Sequence, residues 1–210
     1  MEAEGRIQES VDKSEIKDVL SIVNYARDAG LWEEWRACYH ADATLTTSWF
    51  SGARDEFVEA AKKMKIARHP GESQKHTVTN PWVRLRGVRA AAEHDLILYQ
   101  RRLVDGVELD FTTWSRVLAL LEKRDGAWRI WKRTNIYEKD RMDPYKPDEV
   151  PASFYASIDL TGYPPAIRYH CWRNAKIGHP PARGIVLQHS AEEAAVRKEA
   201  EEWLNGGVSL

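Results

Sequence analysis

Cysteine is scarce: Cys38 and Cys171 are the two in 210 residues. They are far apart and lack metal-ligand spacing. No disulfide framework is therefore expected, and a reducing, cytoplasmic setting is favoured. No long apolar run occurs, so no membrane-spanning helix is expected. The opening MEAEGRIQES is polar and acidic, unlike a secretory signal. Excess charge is also missing. The formal net charge is −1, which argues against a general nucleic-acid-binding surface. No G-x-G-x-x-G or Walker A motif points to a nucleotide cofactor, and no G-x-S-x-G elbow points to a serine nucleophile. His69, His170, His179 and His189 show no ligand spacing with a carboxylate, and no metal is expected.

What the chain does have is tryptophan, nine of them. Such a set fills a core or builds a flat aromatic pocket. The length fits one domain, or one domain with a tail.

Residues 14–40 read as helix. Ser14 is the candidate N-cap, and Ile16, Val19, Leu20, Val23 and Ala26 recur at helical spacing. Gly30 ends this helix, and a short second one follows over Leu31–Tyr39. A Thr- and aromatic-rich strand is expected at Ala43–Phe50, then a third helix at Arg54–Ala67 with Phe57, Val58, Ala61 and Met64 as its stripe. RHPGES is a loop. From residue 74 the pattern turns to β, with runs ending in strands at Ala90–Leu103, Val107–Lys123 and Ala127–Lys139. The turn signals between them are Arg86-Gly87, Asp105-Gly106 and Asp125-Gly126. The fold class is α+β, three N-terminal helices packed on a curved, mostly antiparallel sheet. Residues 1–140 form the expected domain. Residues 141–210 are a Pro- and aromatic-rich extension with a terminal helix at Glu192–Leu204, packed on the core or on a neighbouring subunit.

The segments IKDVLSIVNYARDAGLWEEWRACYHADAT, GARDEFVEA, HTVTN and LEKRDGAWRIWKRTN, in that order and spacing, resemble the SnoaL-like branch of the NTF2-like superfamily. The resemblance covers roughly residues 10–140. It implies a cone-shaped fold, a bent sheet wrapped round a long helix with an apolar cavity at the open end. Dehydratases, dehydrochlorinases, isomerases, polyketide cyclases, dioxygenase small subunits and non-catalytic binders share that scaffold, so the cavity residues decide function.

In the scytalone dehydratase and hexachlorocyclohexane dehydrochlorinase branch, the resemblance places Asp28 and His76 on a catalytic Asp-His dyad. It places Arg133 on a cationic cavity position. A neutral imidazole suits removal of a carbon-bound proton, and a carboxylate beside it fixes the tautomer. The bland readings are a surface or core histidine and a helix-end aspartate. Tyr25, one turn before Asp28, is a candidate proton donor or a core tyrosine with its hydroxyl at the rim. Asn135 and Asn80 are candidates to orient substrate oxygens, or turn and edge residues. Tyr99, Trp114, Trp82 and Trp49 are candidate cavity walls, or plain core. His40 reads as structural, and the faces taken by His94 and Arg116 are left open.

The resemblance thus implies a lyase without cofactor, acting by dehydration or formaldehyde loss, and the abundance of Trp and Tyr suggests an aromatic or polycyclic small molecule as its substrate. The alternatives are an isomerase or cyclase of polyketide or terpenoid metabolism, and a non-catalytic ligand-binding or dioxygenase small-subunit-like module. A homodimer or homotrimer is expected, with neither nucleic acid nor membrane as partner.

Overall fold

The computed structural model describes residues 2–66 and 69–206. The expected helix end at Ala67 and the loop residue Arg68 lie outside them. Helix α1 spans Glu2–Ala29 and buries Ile16, Leu20, Val23 and Ala26 along one stripe. It begins well before Ser14, which sits inside the helix and caps nothing. The added turns are polar and solvent-facing, held by Lys13–Glu9 and Gln8–Asp12 pairs and by Lys123 and Trp128 donating to Asp12. A solvated helix has no apolar period to read. Gly30 ends it with φ of 81°, and the N–H groups of Gly30 and Leu31 both donate to the Ala26 carbonyl.

Helix α2 (Trp32–Ala37) is shorter than expected, because Tyr39 already opens strand β1 (Tyr39–Thr46). Trp35 is buried and packs on Tyr39 and Phe57, with ring centres 4.2 and 5.3 Å away. The expected strand Ala43–Phe50 therefore starts earlier and breaks at Thr47. The Thr47 N–H donates to Phe50 O (2.8 Å), which turns the chain through Ser48 and Trp49 into β2 (Ser51–Ala53) and α3 (Arg54–Ile66).

Strands β3 (Ser73–Arg86), β4 (Arg89–Val104), β5 (Val107–Arg124) and β6 (Ala127–Pro144) form an antiparallel meander. Its Asp-Gly corners hold both residues at positive φ: 49° and 83° at Asp105-Gly106, 52° and 78° at Asp125-Gly126. That is the geometry of a tight turn whose twist matches its strands. Strand β1 joins β6 in parallel, giving the order β2-β1-β6-β5-β4-β3. The architecture is α+β, a curved open sheet with helices. Strand β6 runs past Lys139 to Pro144, because Leu109–Thr112 of β5 keep pairing with it.

Side-chain parity divides the two faces of the sheet. Thr113, Ser115 and Val117 of β5 turn inward, as do Leu96 and Leu98 of β4 and Arg133, Asn135 and Tyr137 of β6. His94 is buried beside Arg133, whereas Arg116 pairs with Asp95 at the surface. His40 is structural: its Nε2 meets the Glu122 carbonyl at 3.0 Å.

The remaining chain wraps this body. After a 3-10 turn at Pro147–Glu149 come α4 (Ala152–Ala156) and α5 (Arg168–Lys176). Phe154 and Trp172 pack against Val104, Leu109 and Phe111, and Ile167 and Cys171 pack against Tyr137. Strand β7 (Val186–Leu187) pairs with β6, and α6 (Ala191–Leu204) lies on the outer face, starting one residue ahead of Glu192. Ser190 caps α6 by accepting the Glu193 N–H at 3.1 Å. Trp203 is fully buried there and stacks on Trp131 with ring centres 4.5 Å apart.

Candidate active site

A small hollow opens where the C-terminal end of α1, the Thr47–Phe50 turn, the inner face of the sheet and α5 converge. Arg27, Ser48, Trp49, His76, Asn135 and His170 are among its walls, and its volume is about 30 Å³. That is room for roughly two waters. A larger cavity of about 260 Å³ is lined by Lys63, Arg102, Arg173, Ile177 and His179. Trp49 stands between the two regions, with the His179 ring edge-on to it at 5.2 Å.

Asp28 sits at the end of α1, where Gly30 stops the helix, and His76 comes from the inward-facing positions of β3. The Asp28 carboxylate accepts twice from His76: from its backbone N–H at 2.6 Å and from ring Nδ1 at 2.7 Å. Gln74 adds a third bond, Nε2 to Asp28 Oδ1 at 3.2 Å. The Gln74 amide is oriented from behind, because its Oε1 accepts from Gln100 (3.0 Å) and Arg102 (3.1 Å). Burial works to raise the Asp28 pKa, but the His76 and Gln74 bonds outweigh it and hold it below the usual carboxylate range. Ionised Asp28 is an acceptor only, so His76 Nδ1 carries the proton. Its Nε2 lone pair is left on the hollow, with no hydrogen bond to another described residue.

The charges around the ring are mostly positive. Burial, against the pull of Asp28, together with Arg27 and Arg133 lowers the His76 pKa to about 4. The Arg27 guanidinium lies 5.0 Å from the Phe57 ring centre and 6.0 Å from that of Trp49, and burial with Arg133 nearby lowers its pKa to about 10. Arg133 is buried, reaching Asn24 Oδ1 at 3.4 Å, and its Nε has no partner among the described residues. The imidazole is therefore neutral at physiological pH and able to accept a proton.

His170 enters from α5. Its Nε2 lies 2.6 Å from Ser48 Oγ, and its Nδ1 lies 3.1 Å from Thr113 Oγ1 and 3.5 Å from Arg173 Nη2. Its backbone N–H donates to Asp140 Oδ2 at 2.8 Å, tying α5 to β6. Burial pushes the Asp140 pKa up to about 6. Both thiols are buried and free, and burial raises them to about 11 for Cys38 and about 12 for Cys171, so neither is a ready nucleophile. Among the described residues, no group of three or more His, Cys, Asp or Glu is placed to hold a metal.

Of the residues singled out from sequence, His76, Trp49 and Asn135 line the hollow, Asp28 holds His76 beside it, and Arg133 is buried near it. Five others lie elsewhere. Tyr25 is 71% exposed, because the buried stripe of α1 runs through Val23 and Ala26 and turns Tyr25 outward. Tyr99 and Trp114 pair across strands with Lys75 and Lys139 and take the outer parity, with Lys139 Nζ 4.8 Å from the Trp114 ring centre. Asn80 has φ of 53° at an irregularity in β3 and donates to Asp95 Oδ2 (2.8 Å) at the surface. Trp82, just beyond it, is exposed as well. Sequence reasoning missed Arg27, Ser48 and His170. Arg27 was findable as the neighbour of Asp28. Ser48 was hidden in an apparent strand, and nothing in the spacing joined His170 to either.

Residues 8–134 match the SnoaL-like domain family, and this chain belongs to it. The chain is 29% identical over 193 residues to a PEP2-like protein of Fusarium vanettenii, covering 86% of this chain and 80% of that one. Among solved structures it is similar to a scytalone dehydratase-like protein from Novosphingobium aromaticivorans. The TM-score is 0.54 at 17% identity, over 66% of this chain and 90% of that one. A hexachlorocyclohexane dehydrochlorinase gives 0.57 at 15% identity, over 67% and 93%. Identities this low speak to a shared NTF2-like fold.

Proposed function

We propose that the protein is a cofactor-independent lyase that removes a carbon-bound proton with His76 and then expels water or another small group. One observation carries the reading. A single ionised carboxylate, Asp28, holds both the backbone and the ring of His76, so the lone pair of Nε2 faces the hollow. The same carboxylate stabilises the imidazolium formed on proton transfer, and the dry surroundings strengthen that effect. The imidazolium can then return its proton to the departing oxygen, which closes the cycle without a cofactor. Aromatic walls such as Trp49 suit a flat substrate, and related NTF2-like proteins named as a scytalone dehydratase and a dehydrochlorinase support eliminations as the reaction class. Admission of any substrate requires α5 or the Trp49 side chain to move, because about 30 Å³ does not hold one.

That small volume also favours a second reading, a non-catalytic module with a filled core. One experiment separates the two. Phenolic diols and β-hydroxy carbonyl compounds are incubated with wild type and with His76→Ala and followed by mass spectrometry. Loss of water marks a dehydratase, loss of formaldehyde a carbon–carbon lyase, and an unchanged mass with a new retention time an isomerase or cyclase. Turnover that persists in His76→Ala refutes the base assignment. No conversion by either protein supports the binding module.

A further inference from the structure

The matched family segment ends at residue 134, yet one wall of the hollow comes from residue 170. Ser48 Oγ and His170 Nε2 lie 2.6 Å apart. Such a contact has two readings. Either the imidazole takes the serine proton, as in a nucleophile–base pair, or the imidazole N–H donates to the serine oxygen. The other side of the ring decides between them. His170 Nδ1 receives Arg173 Nη2 at 3.5 Å, and a guanidinium can only donate. Nδ1 is therefore the acceptor, Thr113 Oγ1 at 3.1 Å is a second donor toward it, and the ring proton sits on Nε2. His170 then donates to Ser48 Oγ. The Ser48 backbone N–H is likewise committed, to Tyr137 Oη at 2.9 Å. What remains is the Ser48 hydroxyl proton, on a side chain that lines the hollow with His76 and Arg27.

We propose that Ser48 is a catalytic hydrogen-bond donor, held in that role by His170 as a positioning residue, and that with Arg27 it receives a ligand oxygen that becomes negatively charged. This rests on the reading of His76 as the base. When His76 Nε2 takes the proton, the C–H bond breaks and its electron pair forms a carbon–carbon double bond to the neighbouring carbonyl carbon. The carbonyl π pair moves onto oxygen. That enolate oxygen is the group Ser48 and Arg27 meet. No oxidant or reductant is consumed. The two histidines thus have opposite tautomers: His76 presents a lone pair to the hollow, while His170 turns a serine outward from its own N–H.

The test has two arms on the full-length protein. Nitrogen-15 NMR of histidine-labelled wild type reads the tautomers directly, with His170→Gln and His76→Gln spectra assigning the signals. The expected result is a proton on Nε2 of His170 and on Nδ1 of His76; a proton on Nδ1 of His170 overturns the proposal. In the second arm 4-nitrophenol, whose phenolate is coloured, serves as an oxyanion probe. Wild type is expected to bind the phenolate in preference to the phenol. Ser48→Ala and His170→Leu should each weaken phenolate binding by about tenfold or more. His170→Gln, which places an amide N–H near the former Nε2–H, should recover it, a rescue that mere packing would not produce. No phenolate preference in wild type, or phenolate binding unchanged in Ser48→Ala, overturns the proposal.

Exchange of the α-protons of 2-tetralone in deuterated water keeps the two readings apart. If exchange needs His76 while Ser48→Ala binds phenolate as wild type does, the serine assignment falls and the base stands. If phenolate binding needs Ser48 while His76→Gln exchanges as wild type does, the base falls and the oxyanion donor stands.

Discussion

Acidification should destabilise this protein through His76 while Asp28, its carboxylate partner, is still ionised. In the folded chain His76 titrates at about 4, against 6.5 for an ordinary histidine. Burial is the main cause, and Arg27 and Arg133 add to it against the opposing pull of Asp28. The unfolded chain therefore binds the proton first. Stability from this group is complete above about pH 6.5 and is lost as the pH falls toward about 4. Across the pH interval from about 6.5 to about 5, the loss is about 2 kcal/mol at ~1.4 kcal/mol per unit. Asp28, held low, stays ionised through most of that window. His94, His170 and His40 are also depressed and add slopes of their own, so the measurement must be differential. Urea unfolding of wild type and His76→Gln at about pH 7 and about pH 5 gives it. Wild type should lose about 2 kcal/mol more than the variant between the two conditions. Equal losses would show that His76 is solvated or protonated in the native state, and the neutral base would be lost with it.

Asp28→Asn keeps the shape but can no longer guarantee the Nδ1–H tautomer, so turnover of any substrate found by the mass screen should fall by about a hundredfold or more. Tyr25→Ala touches only solvent and should change neither activity nor stability by more than about 0.5 kcal/mol; a large loss of activity would return Tyr25 to the site. Trp203→Ala empties the fully buried contact between α6 and the sheet and should cost about 3–5 kcal/mol in urea unfolding. Arg133→Met removes a cation that depresses His76 and should shift the His76 titration upward in an NMR pH series; an unmoved midpoint would show that Arg133 does not act on His76.

Which residues meet was legible where local chemistry and the family pattern agreed. Gly30 is needed at positive φ, and it places Asp28 at the last turn of α1. The turns at Arg86-Gly87 and at the two Asp-Gly corners set the meander, whose first strand carries His76. Legibility failed at three kinds of place. Polar turns ahead of Ser14 carry no period, so the true length of α1 was invisible. Strand parity is reset by irregularities that sequence does not announce: the Thr79–Trp82 shift in β3 and the Trp114–Ser115 shift between β5 and β6. A single residue of offset moves a side chain to the other face, whereas Trp114 and Tyr99, plausible as walls, stand outside by plain alternation with inward Thr113, Ser115 and Leu98. Long-range contacts of the C-terminal segment left no trace in spacing at all.

That last failure bears on how such a site can diverge. The proton-accepting half of the proposed site, Asp28 and His76, is built from a helix end and a strand that belong to the matched family segment. The donating half is mixed: Arg27 and Ser48 lie within that segment, but the orientation of Ser48 depends on His170 and Arg173, which lie beyond it. The link is mechanical as well as electronic, because Asp140 at the far end of β6 grips the backbone of α5 through the His170 N–H. A shift of α5 that admits a ligand would therefore also release Ser48 from His170 unless the two move together. Hydrogen-exchange rates for the amides of residues 168–176, measured with and without 4-nitrophenolate, distinguish these cases. Protection that rises on binding means the helix closes with the serine in place. Protection that falls means the ligand displaces α5, and the serine then acts without its histidine.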